Sequence, residues 1–176
     1  MEIKGWIYQI NRTNTVRYIL GTEGLTSLVC IGVNPSTAEP FKLDPTLKSV
    51  ERSAKHHGFD SWIMLNLYPQ RSTNPNNLHS CRDEYLHRKN LLHFENILTV
   101  RQPVIWAAWG TLVTKRPYLM ECLRDICELT KKHECSWVTF GKRSKDGHPH
   151  HPLYLRKDFE MDDFDLEEYL KNHLNG

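Results

Sequence analysis

The fold is decided by the stretch SLVCIGVNPST, residues 27–37, in which an apolar run ends at a polar loop. Residues 27–33 are almost continuously apolar and include the β-branched Val29 and Ile31. Such a run is typical of a strand covered on both faces, as in a parallel sheet. Asn34 and Pro35 are residues that favour turns. The stretch therefore predicts a buried strand that leads into a stiff polar loop.

Alternating apolar runs and helical patterns surround this strand. Further strands are predicted over residues 62–65, 103–108 and 135–140, and a β-hairpin with strands 6–8 and 16–20 begins the chain. Asp44 and Pro45 indicate a helix start and Gly58 a helix end. Other helices are predicted over residues 83–98, 118–131 and 164–174. This order predicts one α/β domain over residues 1–176: a three-layer α/β/α sandwich with a mostly parallel central sheet, preceded by the hairpin.

Composition narrows the class of protein. The chain has 176 residues, 39% hydrophobic and 25% charged, with a net charge of +2, which is too small to indicate nucleic-acid binding by itself. The number of cysteines, five, is odd and no CxxC pair occurs, so neither a disulfide framework nor a zinc knuckle is indicated. No apolar run approaches the roughly 20 residues that cross a bilayer, and no signal peptide is evident. We expect a cytoplasmic protein without membrane contact; the oligomeric state stays open.

Polar side chains follow each predicted strand, where open α/β sheets bind their ligands. The loop Asn34-Pro35-Ser36-Thr37, with Asp44 after it, offers amide, hydroxyl and carboxylate groups, although it can equally be a turn that caps its own backbone. Asn66 can pair with a planar ligand, while Tyr68 and Arg71 follow it. Arg71 alone fits a structural ion pair better than a ligand contact.

The later strand ends carry Gly110 and a histidine cluster. Gly110 permits close approach of the backbone to a ligand. His148, His150 and His151 can move protons near neutral pH, and they also raise the possibility of metal binding. Prolines break up their spacing and no cysteine or carboxylate stands beside them, so we predict neither a metal site nor a cofactor. The chain has no GxSxG elbow, Walker loop or strand-borne GxGxxG.

Taken together, these motifs resemble a bacterial family defined as a domain of unknown function. The resemblance rests on an arginine-tyrosine-leucine-like hairpin strand, on NPSTA with DPT, on NLxxxRxTxP, on AWG and on DGxPxHPLY, and it covers nearly the whole chain. In this sequence the motifs occupy residues 17–20, 34–38, 44–46, 66–75, 108–110 and 146–154. Membership implies no settled activity.

A more distant resemblance is to the uracil-DNA glycosylase superfamily. Those enzymes have a GxNPG-like loop that places water, an Asn that reads the base, a small-residue turn, and an HPS motif. Residues 32–36, Asn66, residues 109–110 and residues 151–153 follow the same order, with Ser36 replacing a glycine and Leu153 a serine. The resemblance implies a glycosylase-like fold.

Three functions remain open. The leading hypothesis is hydrolysis of the N-glycosidic bond of a nucleobase-containing substrate, in which Asn34 or Asp44 positions water and His151 stabilises the departing base. Asn66 would read the base and Tyr68 would form an aromatic floor. Pro35, Ser36, Thr37, Arg71, Gly110 and His150 would complete the substrate site. The alternatives are a non-catalytic module that binds a nucleotide, modified base or nucleic acid, and metal-assisted hydrolysis through the histidines.

Overall fold

The computed structural model describes residues 3–175, in which seven strands form one sheet. The strands are β1 (Trp6–Ile10), β2 (Arg17–Thr22), β3 (Ser27–Gly32), β4 (Ser61–Asn66), β5 (Val104–Ala107), β6 (Ser136–Phe140) and β7 (Met161–Asp163). The helices are α1 (Pro45–His56), α2 (Glu84–Val100), α3 (Tyr118–Thr130) and α4 (Leu166–Leu174). Short 3₁₀ turns occupy Pro75–Asn77 and Gly110–Lys115.

The sheet is mixed, with the order β1-β2-β4-β3-β5-β6-β7. The central strands β4, β3, β5 and β6 are parallel, whereas β1 with β2, β2 with β4, and β6 with β7 pair in antiparallel fashion. The α/β class and the hairpin are therefore confirmed, but the expectation of a mostly parallel sheet is wrong. The hairpin does not simply precede the sheet, because β2 pairs with β4 and extends it.

Hydrophobic cores lie on both faces of the sheet. Helix α1 packs with Leu28, Cys30 and Trp106 on one face. Helices α2, α3 and α4 cover the other face, against residues such as Ile31, Leu65 and Ala107. The alternation of side chains along each strand sends neighbouring residues to opposite cores, so the central strands have no polar face.

The helix boundaries follow from capping residues. Asp44, Asp83 and Asp165 each accept a hydrogen bond from a backbone N–H in the first turn, and so begin α1, α2 and α4. Gly58 has a φ of +82°, which suits the residue that follows a helix end. No helix among residues 3–175 is long and apolar enough to span a membrane.

The order of strands creates a switch point beside β3. The chain leaves β3 through α1 and turns towards β4, whereas it leaves β5 through Gly110–Lys115 and α3 and turns towards β6. Connections that diverge from neighbouring parallel strands leave a crevice at the carboxyl ends of those strands. The loops after β3 and β5 therefore flank a natural ligand-binding position.

Candidate functional site

A cleft of about 350 Å³ lies at this switch point. Its walls come from the loops that follow β3, β4, β5 and β6, together with the start of α1. Five of the predicted site residues line it: Asn34, Ser36, Thr37, Asp44 and His151. His151 comes from the loop after β6, more than a hundred residues along the chain. The fold therefore gathers the main polar motifs around one cavity.

Asn34 fastens the loop after β3 to the loop after β4. Its Nδ2 donates to the carbonyl oxygens of Pro35 and Ser72, at 3.0 and 2.9 Å, with Gln70 O at 3.5 Å. The backbone of Ser72 also donates to Pro35 O. The amide nitrogen of Asn34 is thus committed to structure, which leaves its Oδ1 to act towards the cleft. Pro35 is buried behind the loop.

Arg71 braces the same loop from outside. Its guanidinium donates to the carbonyl oxygens of Ser36 and Ala38 and to the hydroxyl of Tyr8. The preference for a structural Arg71 therefore fits its contacts, although the partners are carbonyls rather than the expected carboxylate. Arg71 does not line the cleft but lies on an adjoining surface groove.

Asp44, at the N-terminus of α1, has both a structural and an electrostatic role. Its Oδ1 accepts the backbone N–H of Leu47 at 2.9 Å and so caps the helix. The carboxylate is half-buried and lines the cleft. Burial lowers the pKa of both Arg17 and His151, and the negative charge of Asp44 partly opposes that lowering in each case. Asp44 is therefore a carboxylate whose charge acts on both the guanidinium and the imidazole that line the cleft.

His151 presents a neutral hydrogen-bond donor. Its Nδ1 accepts the backbone N–H of Leu153 at 3.1 Å, which places the ring proton on Nε2. Burial lowers the pKa of His151 and the neighbouring His150 lowers it further, against the opposing effect of Asp44. The imidazole is consequently uncharged near neutral pH.

Gly110 holds His151 in place. Its φ is +59°, and a Cβ at this position would lie 3.1 Å from the Cβ of His151. A residue with a side chain would be strained there and would also push on the histidine. The close neighbour of Gly110 is thus the side chain of His151, and Gly110 itself does not line the cleft. The expected approach of a ligand to Gly110 stays a prediction.

The other histidines of the cluster point elsewhere. His150 Nδ1 lies 2.6 Å from the carbonyl oxygen of His151, and His148 Nδ1 lies 2.7 Å from the hydroxyl of Tyr169 on α4. Neither lines the cleft. Within residues 3–175 no three His, Cys, Asp or Glu side chains are grouped so as to hold a metal ion.

Asn66 lies beneath the floor of the cleft. Only 1% of the residue is exposed, and neither Oδ1 nor Nδ2 has a hydrogen-bond partner among residues 3–175. Its Oδ1 is 3.2 Å from the position a Cβ would take on Gly32, a residue that lines the cleft. A buried amide with both ends unpaired costs stability, which is a common property of groups kept for function.

Tyr68 is not in the cleft. It is fully buried in the core under α2 and α3, where its hydroxyl lies 2.7 Å from His79 Nδ1 and accepts the backbone N–H of Asp83. The structure therefore does not bring Tyr68 to the place that an aromatic floor requires.

The sequence reasoning missed Arg17 and Tyr154. Arg17 is 2% exposed and lines the cleft from the start of β2. An arginine inside the otherwise apolar run of residues 16–20 was the available indication. Tyr154 is 92% exposed at a φ of +64°, directly after Leu153, which lines the cleft. A non-glycine residue with positive φ is uncommon and is often found at functional sites.

The fold and the cleft define an α/β protein with a polar crevice at the switch point of a mixed sheet. Residues 17–153 match the sequence profile of the family described as "Protein of unknown function (DUF1643)", and the chain belongs to that family. The matched segment begins at Arg17 and ends at Leu153, so it contains every residue that lines the cleft.

No curated protein and no solved structure gave a significant match to the chain. The resemblance to uracil-DNA glycosylases therefore stays a prediction based on the order of the motifs.

Proposed function

We propose that the cleft binds a nucleobase-containing small molecule and hydrolyses its N-glycosidic bond. The observation that carries this proposal is the presence of a carboxylate, Asp44, and a neutral imidazole donor, His151, on the walls of one cleft. Hydrolysis of this bond needs a water molecule at the anomeric carbon and a donor for the departing base.

The contacts suggest how the two groups would share this work. Asp44 Oδ1 caps α1, so the other carboxylate oxygen is available to orient water and to stabilise positive charge on the sugar. His151 Nε2–H would donate to the base as electrons move into it. Water adds its hydroxyl to the anomeric carbon, and its remaining proton goes to the base.

Base recognition would fall to Asn66 and Tyr154. The unpaired amide of Asn66 offers one donor and one acceptor, which is the pattern that a nucleobase edge requires. Tyr154, exposed beside the cleft, takes over the stacking role first given to Tyr68. Because Asn66 is 1% exposed beneath the floor of the cleft, its contact with a base would require a side-chain movement that uncovers its amide.

The test is release of free base, measured by chromatography, from nucleosides, nucleotides and DNA containing uracil or hypoxanthine. Asp44→Asn keeps a capping residue but removes the charge. Asp165→Asn is its matched control, because Asp165 caps α4 through the same contact at 2.9 Å and lies outside the cleft.

We expect Asp44→Asn and His151→Gln each to lower the rate of base release at least about a hundredfold, with Asp165→Asn unchanged. Absence of base release from every substrate by the wild-type protein would refute the hydrolase proposal. Equal loss in Asp44→Asn and Asp165→Asn would show that losing the charge of any helix cap lowers activity, and that the position of Asp44 in the cleft does not matter.

A second candidate is a binding module without chemistry, which recognises a nucleotide, a modified base or nucleic acid. This candidate is favoured because Asn34 and Asp44 both form hydrogen bonds with backbone groups, so part of each side chain already has a structural role. Ligand binding detected by thermal shift, with no product and no effect of His151→Gln, would decide for the module.

A further inference from the structure

The guanidinium of Arg17 is buried, and among residues 3–175 it forms no ion pair with a carboxylate. Its Nη1 donates to Ala38 O at 3.1 Å, and its buried Nε has no partner among residues 3–175. None of the ion pairs in that part of the chain includes Arg17. A buried charge is costly unless another charge pairs with it, so this arginine lacks the partner that its burial requires.

One cation and one carboxylate, Arg71 and Asp44, act on the charge of Arg17. Arg71 reaches the same carbonyl oxygen, that of Ala38, at 3.2 Å. Repulsion from Arg71 adds to burial in lowering the pKa of Arg17 to about 10, while Asp44 acts in the opposite direction. Arg17 keeps its proton near neutral pH despite these effects. The charge of Asp44, which itself caps α1, therefore only partly offsets the burial of Arg17 and its repulsion from Arg71.

The cleft wall next to Arg17 supplies neutral donors. The hydroxyl-bearing residues that line it are Ser36, Thr37, Thr46, Ser72 and Thr73, of which Ser72 already donates its hydroxyl to Asn74 O at 2.6 Å. Thr46 is also in the first turn of α1, where backbone N–H groups and the helix dipole favour an anion. A fixed guanidinium with several hydroxyl donors suits the oxygen atoms of a phosphate.

We infer that Arg17 forms a phosphate subsite, so that the ligand of the cleft is a nucleotide in preference to a nucleoside. This inference rests on the proposed function for the nucleobase part of the ligand, but not for the phosphate part. The phosphate would supply the missing counter-ion of Arg17, with hydroxyls from the loops after β3 and β4 completing its shell.

The experiment compares the binding of inorganic phosphate, the four nucleoside 5′-monophosphates and the four matching nucleosides by calorimetry. Arg17→Met removes the charge at similar length. Arg101→Met is the control, since Arg101 is also part-buried and bonds Gly24 O and Ser27 Oγ, outside the cleft. In parallel, the ¹⁵Nε signal of Arg17 in the wild-type protein is followed during titration with phosphate.

We expect at least one monophosphate to bind about ten- to a hundredfold more tightly than its nucleoside, which is typical for a charged hydrogen-bonding partner. Arg17→Met should abolish this difference, Arg101→Met should retain it, and phosphate should shift the Arg17 signal. Equal binding of nucleotide and nucleoside, no binding of either phosphate probe, or a preference that survives in folded Arg17→Met would overturn the inference.

The wild-type titration decides the matter if Arg17→Met does not fold, because an unmoved Arg17 signal also overturns it. Base release is measured separately. Phosphate bound at Arg17 without base release would sustain this subsite and refute hydrolysis, whereas release of base from nucleosides and nucleotides with equal affinity would do the reverse.

Discussion

At the scale of single residues, this site depends on positions where a side chain has little freedom. Gly110 and His151 are in direct contact, Asn34 donates to carbonyls of two loops, and Asn66 keeps an unpaired amide under the floor. Each of these residues either lowers the stability of the fold or allows little freedom to its neighbours. Substitutions at these positions can therefore change the free energy of unfolding and the ligand affinity independently.

Gly110→Ala should destabilise the protein by more than Gly58→Ala does. Both glycines have positive φ, at +59° and +82°, and alanine in that region costs about 1–2 kcal/mol. Only at Gly110 does the new methyl group meet a neighbour, the Cβ of His151 at 3.1 Å, whereas Gly58 has open space. Urea unfolding of the two variants gives the comparison. Equal losses would mean that His151 moves aside freely.

Asn66→Leu should raise the free energy of unfolding by about 1 kcal/mol while weakening ligand binding, because it removes two unpaired polar atoms. Asn90→Leu is the opposite control: Asn90 Nδ2 donates to Asn66 O at 2.9 Å, so its loss should cost about 1–3 kcal/mol. Chemical denaturation measures both. A destabilised Asn66→Leu would show that the amide has a structural partner in solution.

At the scale of helices and strands, the sequence predicted the elements whose bounds depend on local features such as capping residues and apolar periodicity. Helix α1 begins at Pro45 after its Asp44 cap and α3 covers Tyr118–Thr130, close to the predicted bounds. Strand β7 was missed, since its residues MDD are exposed and carry no apolar alternation. Its existence depends on pairing with β6, which is a contact distant in sequence that no local pattern reveals.

The same reasoning explains which parts of the site were foreseen. The loop at Asn34 and His151 follow strands that share one sheet edge, so their meeting could be predicted. The burial of Tyr68 in the core and the contact of His148 with Tyr169 could not be predicted, because both depend on side-chain packing against α2, α3 and α4.

Helix α1 is joined to the loop that carries His151 through His57. One ring nitrogen lies 2.8 Å from Ser53 O and the other 2.8 Å from Phe159 O. His57→Phe keeps the ring but removes both contacts, so amide exchange at Leu155 and Phe159 should accelerate about tenfold. His56→Phe, at the exposed neighbouring position, should leave exchange unchanged. Unchanged exchange in His57→Phe would show that the loop is held by other contacts.

At the scale of the whole molecule, buried histidines link stability to pH. Burial is the main cause of the lowered pKa values of His93, His148 and His151. The unfolded chain then binds more protons than the folded one as the pH falls below about 6.5, so folding stability should decline on acidification. The decline should end once the folded-state values have been passed.

Urea unfolding at a series of pH values between 8 and 5 measures this decline. The lowered pKa values of Asp60 and Asp158 do not interfere, since those carboxylates titrate at about pH 4 and below. The variant His151→Gln should show a shallower decline than the wild-type protein. A free energy of unfolding that stays constant or rises on acidification would contradict the link between the buried histidines and stability.

The fastening of the loop after β3 also bears on the speed of ligand capture. Asn34, Arg17 and Arg71 fix this loop through carbonyl oxygens at both of its ends, so the cleft exists before any ligand arrives. A preformed cavity requires no opening step, and partners that bind one change little in backbone conformation. Association should therefore accelerate in direct proportion to ligand concentration, without a plateau, and the lifetime of the complex alone should separate strong ligands from weak ones.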